Sequence, residues 1–349
     1  KPFLMIDIDE HSADAGIMTR CEAFLDSLKN ARIKEFKRER ERKYKFSKNK
    51  KKTIFIPYMN DSGRLAAAAM RANGVDAEAL PMPDKLSLEI GRKYTSGKEC
   101  YPAILTTGDI VKKTQSSDFD PDGSVFFMAT ASGPCRFGQY NHLHRMVLDD
   151  IGLPHVPIFT MDQRDDYMAD TSKLGSSFRK LTWDGFVLVD FMQKLLLETR
   201  PYELHKGESD TVYKQYLRRA EHAIEHGYDL LQVAKDAAEA LSKVAVDRSV
   251  PKPLIGLIGE NYVRINEFAN NFIERKIEEL GGKVVNTPFS EWIDYIAYVR
   301  KEDCKREKDF NGFAIELITE VVQKYKAFKM SRPFRKSSVK LFKESSIKK

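Results

Sequence analysis

The stretch SVFFMAT at 124–130 constrains this chain most. It carries no charge, no Gly and no Pro, and its apolar residues do not alternate with polar ones. An uninterrupted run of this kind belongs to a strand covered on both faces, the usual state of a parallel strand sandwiched between helices. Three other short stretches are read as strands: TIFIPY at 53–58, VDAEALP at 75–81 and VPIFT at 156–160. Helix-periodic stretches separate them. Residues 62–73 place Leu65, Ala66, Ala69 and Met70 on one face, and Gly74 follows as a C-cap. Residues 83–94 read as a helix or turn, and 136–151 as a helix. This alternation predicts a Rossmann- or flavodoxin-like α/β lobe over 53–160.

The rest of the chain divides around that lobe. Residues 1–29 hold a short strand at 3–8 and a helix at 19–28, and are read as the end of a preceding lobe. Residues 30–52 are a basic linker. Residues 161–250 are helical, with long Gly-poor periodic stretches at 178–199 and 211–246. A second α/β lobe is expected over 251–330: a strand and turn at 253–260, a helix at 268–280 closed by Gly281 and Gly282, a strand KVVNTPF, and helix at 291–326 with a charged break near 303–312. No third strand pattern follows, so this lobe reads as incomplete. Residues 331–349 form a basic, Ser-rich tail without a core-forming pattern. The expected fold is therefore α/β, with two lobes and a helical insertion between them. The chain opens on Lys1 and enters a strand-like PFLMIDID at once, so it is read as a piece of a longer protein.

Composition narrows the functional classes. Four Cys in 349 residues are too few for a disulfide-stapled secreted fold. There is no secretory leader pattern and no apolar run long enough to span a bilayer, so a reducing, cytoplasmic setting without membrane contact is expected. The net charge of +7 is local: residues 29–52 hold thirteen Lys/Arg against three Glu, and the remainder is near −3. Phe36, Tyr44 and Phe46 interleave with those cations, a pattern that nucleic acid can use through charge and stacking. No reader motif accompanies it, so a solvated linker is the first reading of 29–52.

Two cysteines carry the chemistry. Cys100 and Cys135 each follow a Gly-containing turn (Gly97, Gly133), each has a Pro within two residues, and each opens a helical stretch. The dipole at a helix start favours the thiolate, the form that binds metal or attacks. Cys135 also falls just past the carboxyl end of the 124–130 strand, where ligands gather in open α/β sheets. The spacing C-x34-C alone is no metal signature, and a buried apolar thiol is the plain alternative. The remaining candidates are weaker. Cys21 shares the apolar face of its helix with Phe24, Leu25 and Leu28, and reads as core. Cys304 lies in the charged break and is discounted as a ligand. His222 and His226 stand four apart without a third ligand beside them. Asp9, Glu10 and His11 read as a polar loop or an acid/base group. The turn G-x-x-G-E ending at Glu260 lacks the dinucleotide fingerprint; Glu260 and Arg264 face a ligand or pair with each other. No phosphate-binding loop, H-E-x-x-H or G-x-S-x-G is present.

Several stretches taken together resemble one family: IPYMNDSGRLAAAAMRANGVDAEALP, GRKYTSGKECYPAILTTGDIVK, SGPCRFGQYNHLHR and IGLIGENYVRINEFANNFIERKIEELGGKVVNTPFSEW. They are similar to the 2-hydroxyacyl-CoA dehydratase superfamily, which includes 2-hydroxyglutaryl-CoA dehydratase, and most of all to its large fused, acyl-CoA dehydratase activase-related branch. The resemblance covers most of 1–28 and 53–295. It implies a 4Fe–4S cluster held by Cys thiolates between α/β lobes, with Cys100 and Cys135 as two of the ligands. It also implies an ATP-hydrolysing activase domain or subunit as partner, low-potential electron transfer, and an acyl-CoA as possible substrate. A further family Cys lies in a PF-x-C-M-P-like stretch that this chain lacks, so the third and fourth ligands are not identified here. Two other readings stand beside this one: a non-catalytic scaffold with a degenerate cluster site, and nucleic-acid contact through 29–52.

Overall fold

The computed structural model describes residues 14–30, 52–131, 135–161, 174–175 and 177–337. The strand expected at 3–8, Asp9, Glu10 and His11, nearly all of the basic linker and the end of the tail lie outside them. The chain forms two compact units, 1–42 and 43–349. In the first, helix α1 (Asp14–Asn30) carries the Cys21 face. Cys21 is only half-buried and Leu25 is 55% exposed, so the burial expected of that face is not met within this unit.

The second unit is built on a parallel sheet of β1 (Thr53–Ile56), β2 (Ala77–Ala79), β3 (Ser124–Phe127) and β4 (Ile158–Phe159), in the order β2-β1-β3-β4. Ile54 stands opposite both Ala77 and Val125, and Phe126 opposite Ile158. The lack of alternation in 124–130 now has its cause. Val125 and Phe126 point to opposite faces, and both are fully buried. Val125 enters a core shared with α2 (Ser62–Arg71), while Phe126 packs with Phe55, Ile110, Leu148 and Val156. On the Phe126 side lie α3 (Lys85–Lys93), α4 (Tyr101–Thr114) and α5 (Tyr140–Asp150). On the other side α2 is covered by α6 (Phe178–Thr199) and α7 (Glu208–His226), and α8 (Leu230–Ser242) packs on those two.

The seat of α4 is defined by two glycines. A Cβ on Gly91 of α3 would sit 2.0 Å from the Ile104 carbonyl oxygen, and one on Gly108 of α4 would sit 1.7 Å from the Ser87 carbonyl oxygen. The two helix backbones therefore touch directly.

A smaller parallel sheet pairs β5 (Leu254–Leu257) with β6 (Lys283–Asn286). Around it lie α9 (Asn261–Ile265), α10 (Ile273–Glu279), α11 (Phe289–Glu307) and α12 (Phe310–Arg335). Buried polar groups fasten this part to α6. Asp190 accepts from the backbone N–H of Phe289 and Ser290 at the start of α11, at 3.0 and 2.8 Å. Arg200, 3% exposed at its side chain, makes two bonds to Glu278 of α10 at 2.7 and 2.8 Å and a third to Asp210 at 3.3 Å.

Several boundaries differ from the sequence reading. The stretch 211–246 breaks at Gly227, whose φ of +74° ends α7. The helix expected at 268–280 begins only at Ile273, because Asn271 and Phe272 take left-handed backbone at φ +57° and +55°. The first turn of 136–151 is 3-10, over Arg136–Gln139. The tail also begins later than expected. α12 runs to Arg335, and Phe334 is fully buried against the core under α6. That core runs without interruption across the expected boundaries at 160/161 and 330/331. The fold is thus mixed α/β, with a four-stranded parallel sheet and a small second sheet. No helix among the described residues is long and apolar enough to cross a membrane.

Candidate functional site

Cys100 is the N-cap of α4. Its backbone is extended (φ −69°, ψ 152°), and its carbonyl accepts from Ala103 at 2.9 Å and Ile104 at 3.2 Å. Pro102 is pre-set for the first turn and lacks the N–H that would go unpaired there. The side chain is half-buried against Ala103, Met128 and Tyr140. Cys135 is the N-cap of the 3-10 turn that leads into α5, again in extended backbone (φ −70°, ψ 130°), with its side chain exposed. Both positions expected from sequence are therefore helix caps at this edge of the first sheet.

Two contacts join their loops. Arg136, next to Cys135, donates to the Lys98 carbonyl two residues before Cys100, at 2.8 Å. The Cys100 Sγ and the Tyr140 Oη lie 2.6 Å apart. Tyr140 opens α5, five residues after Cys135, so one phenol links the second cysteine's helix to the first cysteine's sulfur. Burial raises its pKa well above the ordinary tyrosine range, and the Cys100 hydrogen bond and the charges of Cys100, Cys135 and Glu260 push the same way. At neutral pH the phenol keeps its proton, and it is the donor whenever Cys100 is a thiolate. The Phe137 ring stands edge-on to Tyr140, centroids 5.4 Å apart. Gly138 fixes the turn, since a Cβ there would meet the Ala131 carbonyl oxygen at 2.3 Å.

Behind the cysteines the α4–α5 interface holds buried polar side chains. His144 is 1% exposed, and its Nε2 lies 3.2 Å from the Thr106 hydroxyl, which donates to the Pro102 carbonyl. The hydroxyl's proton is spent on Pro102, so His144 supplies the N–H from Nε2, and Nδ1 is a buried acceptor without a protein partner. Burial lowers the His144 pKa to about 3, which keeps it neutral. Burial also raises Asp109 to about 7.

Glu260 caps α9 through the Val263 N–H at 2.8 Å, and α9 packs on α4. Arg264 bonds Asn286, Thr287 and Asn261, so neither residue is held by the other. The other sequence candidates lie elsewhere. Cys304 sits in the last turn of α11, beside Gly312. His222 and His226 stack at 4.2 Å on α7, with His226 Nδ1 3.0 Å from the His222 carbonyl. Among the described residues no group of three or more His, Cys, Asp and Glu gathers as a metal site. A cubane takes four Cys thiolates, and Cys100 and Cys135 would supply at most two of them.

Tyr140, Arg136 and His144 were not singled out from sequence. Their signal was present in the stretch SGPCRFGQYNHLHR, but their roles come from packing against a segment about forty residues earlier. Comparison with known proteins finds no matching family model, no matching curated protein and no matching solved structure.

Proposed function

We propose that this chain is part of an iron–sulfur electron-transfer protein of the 2-hydroxyacyl-CoA dehydratase and activase type. In this reading Cys100 and Cys135 hold a 4Fe–4S cluster, and the remaining ligands come from outside the described residues. The observation that carries the reading is the contact of the Cys100 sulfur with Tyr140, the first residue of the helix that the Cys135 turn leads into. Two thiols on helix caps of neighbouring segments, with a protonated phenol beside one of them, suit a shared anionic centre better than two unrelated core thiols.

When bound, such a cluster supplies single-electron transfer at low potential. The chain's own residues hold and tune it. The thiolates of Cys100 and Cys135 are the ligands. Tyr140 donates a hydrogen bond to the Cys100 sulfur and withdraws charge from it. The start of α4 offers the positive end of its dipole to that sulfur. Met128, Ala103 and Phe137 give the site an apolar wall that keeps water back. An ATP-hydrolysing activase domain or subunit is the proposed source of the electron, and an acyl-CoA is a proposed acceptor.

Anaerobic reconstitution of the chain with iron, sulfide and a small dithiol that fills the cluster corners left open by Cys100 and Cys135 tests this. Bound iron and broad visible absorbance are expected in the parent chain, and both should fall at least severalfold in Cys100→Ser and in Cys135→Ser. Equal iron and absorbance in the parent and both variants, or none in any of them, would overturn the proposal.

A further inference from the structure

His222 and His226 stand four residues apart at the end of α7, and both are exposed. That spacing sets them one above the other on a single face of the helix. Their ring centroids are 4.2 Å apart, and the rings lie 26° from parallel. Tyr228, just past the helix, stacks on both, at 5.4 Å from His222 and 6.1 Å from His226. The three rings form one pile, which limits the rotamers open to each imidazole. A groove of about 570 Å³ runs beside them, lined by His222, Tyr228, Arg218 and Gln232 among others.

The hydrogen on His226 is assigned by its neighbour. Nδ1 lies 3.0 Å from the His222 carbonyl, and a carbonyl only accepts, so Nδ1 carries the hydrogen. Nε2 is left with the lone pair. An imidazole whose other nitrogen donates to a backbone carbonyl is the usual state of a metal-ligating histidine. Neither ring nitrogen of His222 has a hydrogen-bond partner among the described residues, so it too has a lone pair to offer. Gly227, at φ +74°, ends the helix directly after His226, and the negative end of the α7 dipole there favours a cation. The nearby acids are engaged elsewhere. Glu221 and Glu225 pair with Arg64 and Arg71 of α2, at 2.6 and 2.9 Å, and Asp229 caps α8. The donors are therefore two neutral imidazoles, which suit zinc, copper and nickel and not magnesium or calcium.

We propose that His222 and His226 chelate one divalent transition-metal ion of the Cu(II) or Zn(II) kind, with water from the groove completing its coordination. Metal–nitrogen bonds of about 2.0 Å form after small rotations that turn the two ring edges toward each other. Arg219 adds little opposing charge, because it is paired with Asp236 at 2.7 Å. Arg218 lines the groove as a cation and sets a limit on the affinity. This inference uses no feature of the cysteine site.

Copper titration of the whole chain tests it, with the thiols capped by iodoacetamide so that only nitrogen and oxygen donors are read. One equivalent of Cu(II) is expected to bind at micromolar concentration, and electron spin-echo envelope modulation should count two imidazoles on it. His222→Gln and His226→Gln should each weaken binding at least tenfold, with the far-UV spectrum unchanged at these exposed positions. His155→Gln, at another exposed histidine, should change neither the affinity nor the imidazole count. Arg218→Gln should tighten binding, because it removes a like charge from the groove. No binding below millimolar copper, a single imidazole on the ion in the parent, or binding that both paired-histidine variants leave intact would overturn the proposal. So would looser binding in Arg218→Gln, which reports an anion held by the arginine and not a metal held by the imidazoles.

Discussion

The Cys100 sulfur and the Tyr140 hydroxyl are 2.6 Å apart, joining the cap of α4 to the first residue of α5. A thiolate that accepts a hydrogen bond carries less charge to its metal, which eases reduction. Replacing Tyr140 by Phe keeps the ring and its edge-on contact with Phe137 while removing the donor. In the reconstituted chain the midpoint potential of Tyr140→Phe is expected to fall by about 40 mV, the one-electron equivalent of about 1 kcal/mol of hydrogen bonding. An EPR-monitored redox titration reads it, and an unchanged potential would remove Tyr140 from the tuning of the site.

Gly138 gives a steric test of the same loop. Alanine there drives a methyl group into the Ala131 carbonyl, 2.3 Å away. Gly138→Ala should lose iron on reconstitution and about 1–3 kcal/mol of stability. Gly63→Ala is the control, with nothing within 4 Å of its added methyl, and denaturant melts should place it at or above the parent.

His144 and Asp109 titrate in opposite senses. The neutral form of His144 is favoured by folding, with its pKa lowered to about 3 from 6.5. Its contribution is complete above about pH 6.5 and is lost as pH falls toward 3. Asp109 is raised to about 7 from 3.8, so its contribution is complete below about pH 4 and is lost as pH rises through 7. Urea melts across pH 4–8 should find His144→Gln less acid-sensitive than the parent and Asp109→Asn gaining on the parent as pH rises. Each slope should integrate to at most about 4 kcal/mol.

Arg200 lies among Glu278, Asp210 and Glu274, at 2.7, 3.3 and 3.7 Å. Arg200→Met leaves these carboxylates without their buried cation and should cost about 3–5 kcal/mol. Adding Glu278→Gln should recover part of that loss, because the two sites share one interaction. Thermal melts of the four proteins in the cycle give the coupling.

What the sequence made legible follows from how local each signal is. β1 and β3 were readable because burial on both faces leaves an apolar run, as Val125 and Phe126 show. α6 was readable at both ends because its periodicity starts and stops with the helix. Gly227 was passed over because the periodicity of α7 continues in phase into α8. Asn271 tolerates left-handed backbone, but nothing in the identity of Phe272 announces it. Phe334 looked like tail because one buried ring among cations makes no pattern. The cysteines could be picked out by their Gly and Pro neighbours, but Tyr140 acquires its role across forty residues of chain. α12 showed its apolar content in sequence, and only tertiary packing reveals that Glu316 faces inward while Ile315 and Ile318 face out.

The backbone contact at Gly91 and Gly108 has one more consequence. With no side chain between them, α3 and α4 mesh like a cog and its rack. Sliding α4 by one residue in either direction would force Thr107 or Asp109 into the Ser87 carbonyl. The height of the Cys100 sulfur above the sheet is therefore indexed by helix contact some eight residues away, and the loop that carries the cysteine can vary in sequence without moving it.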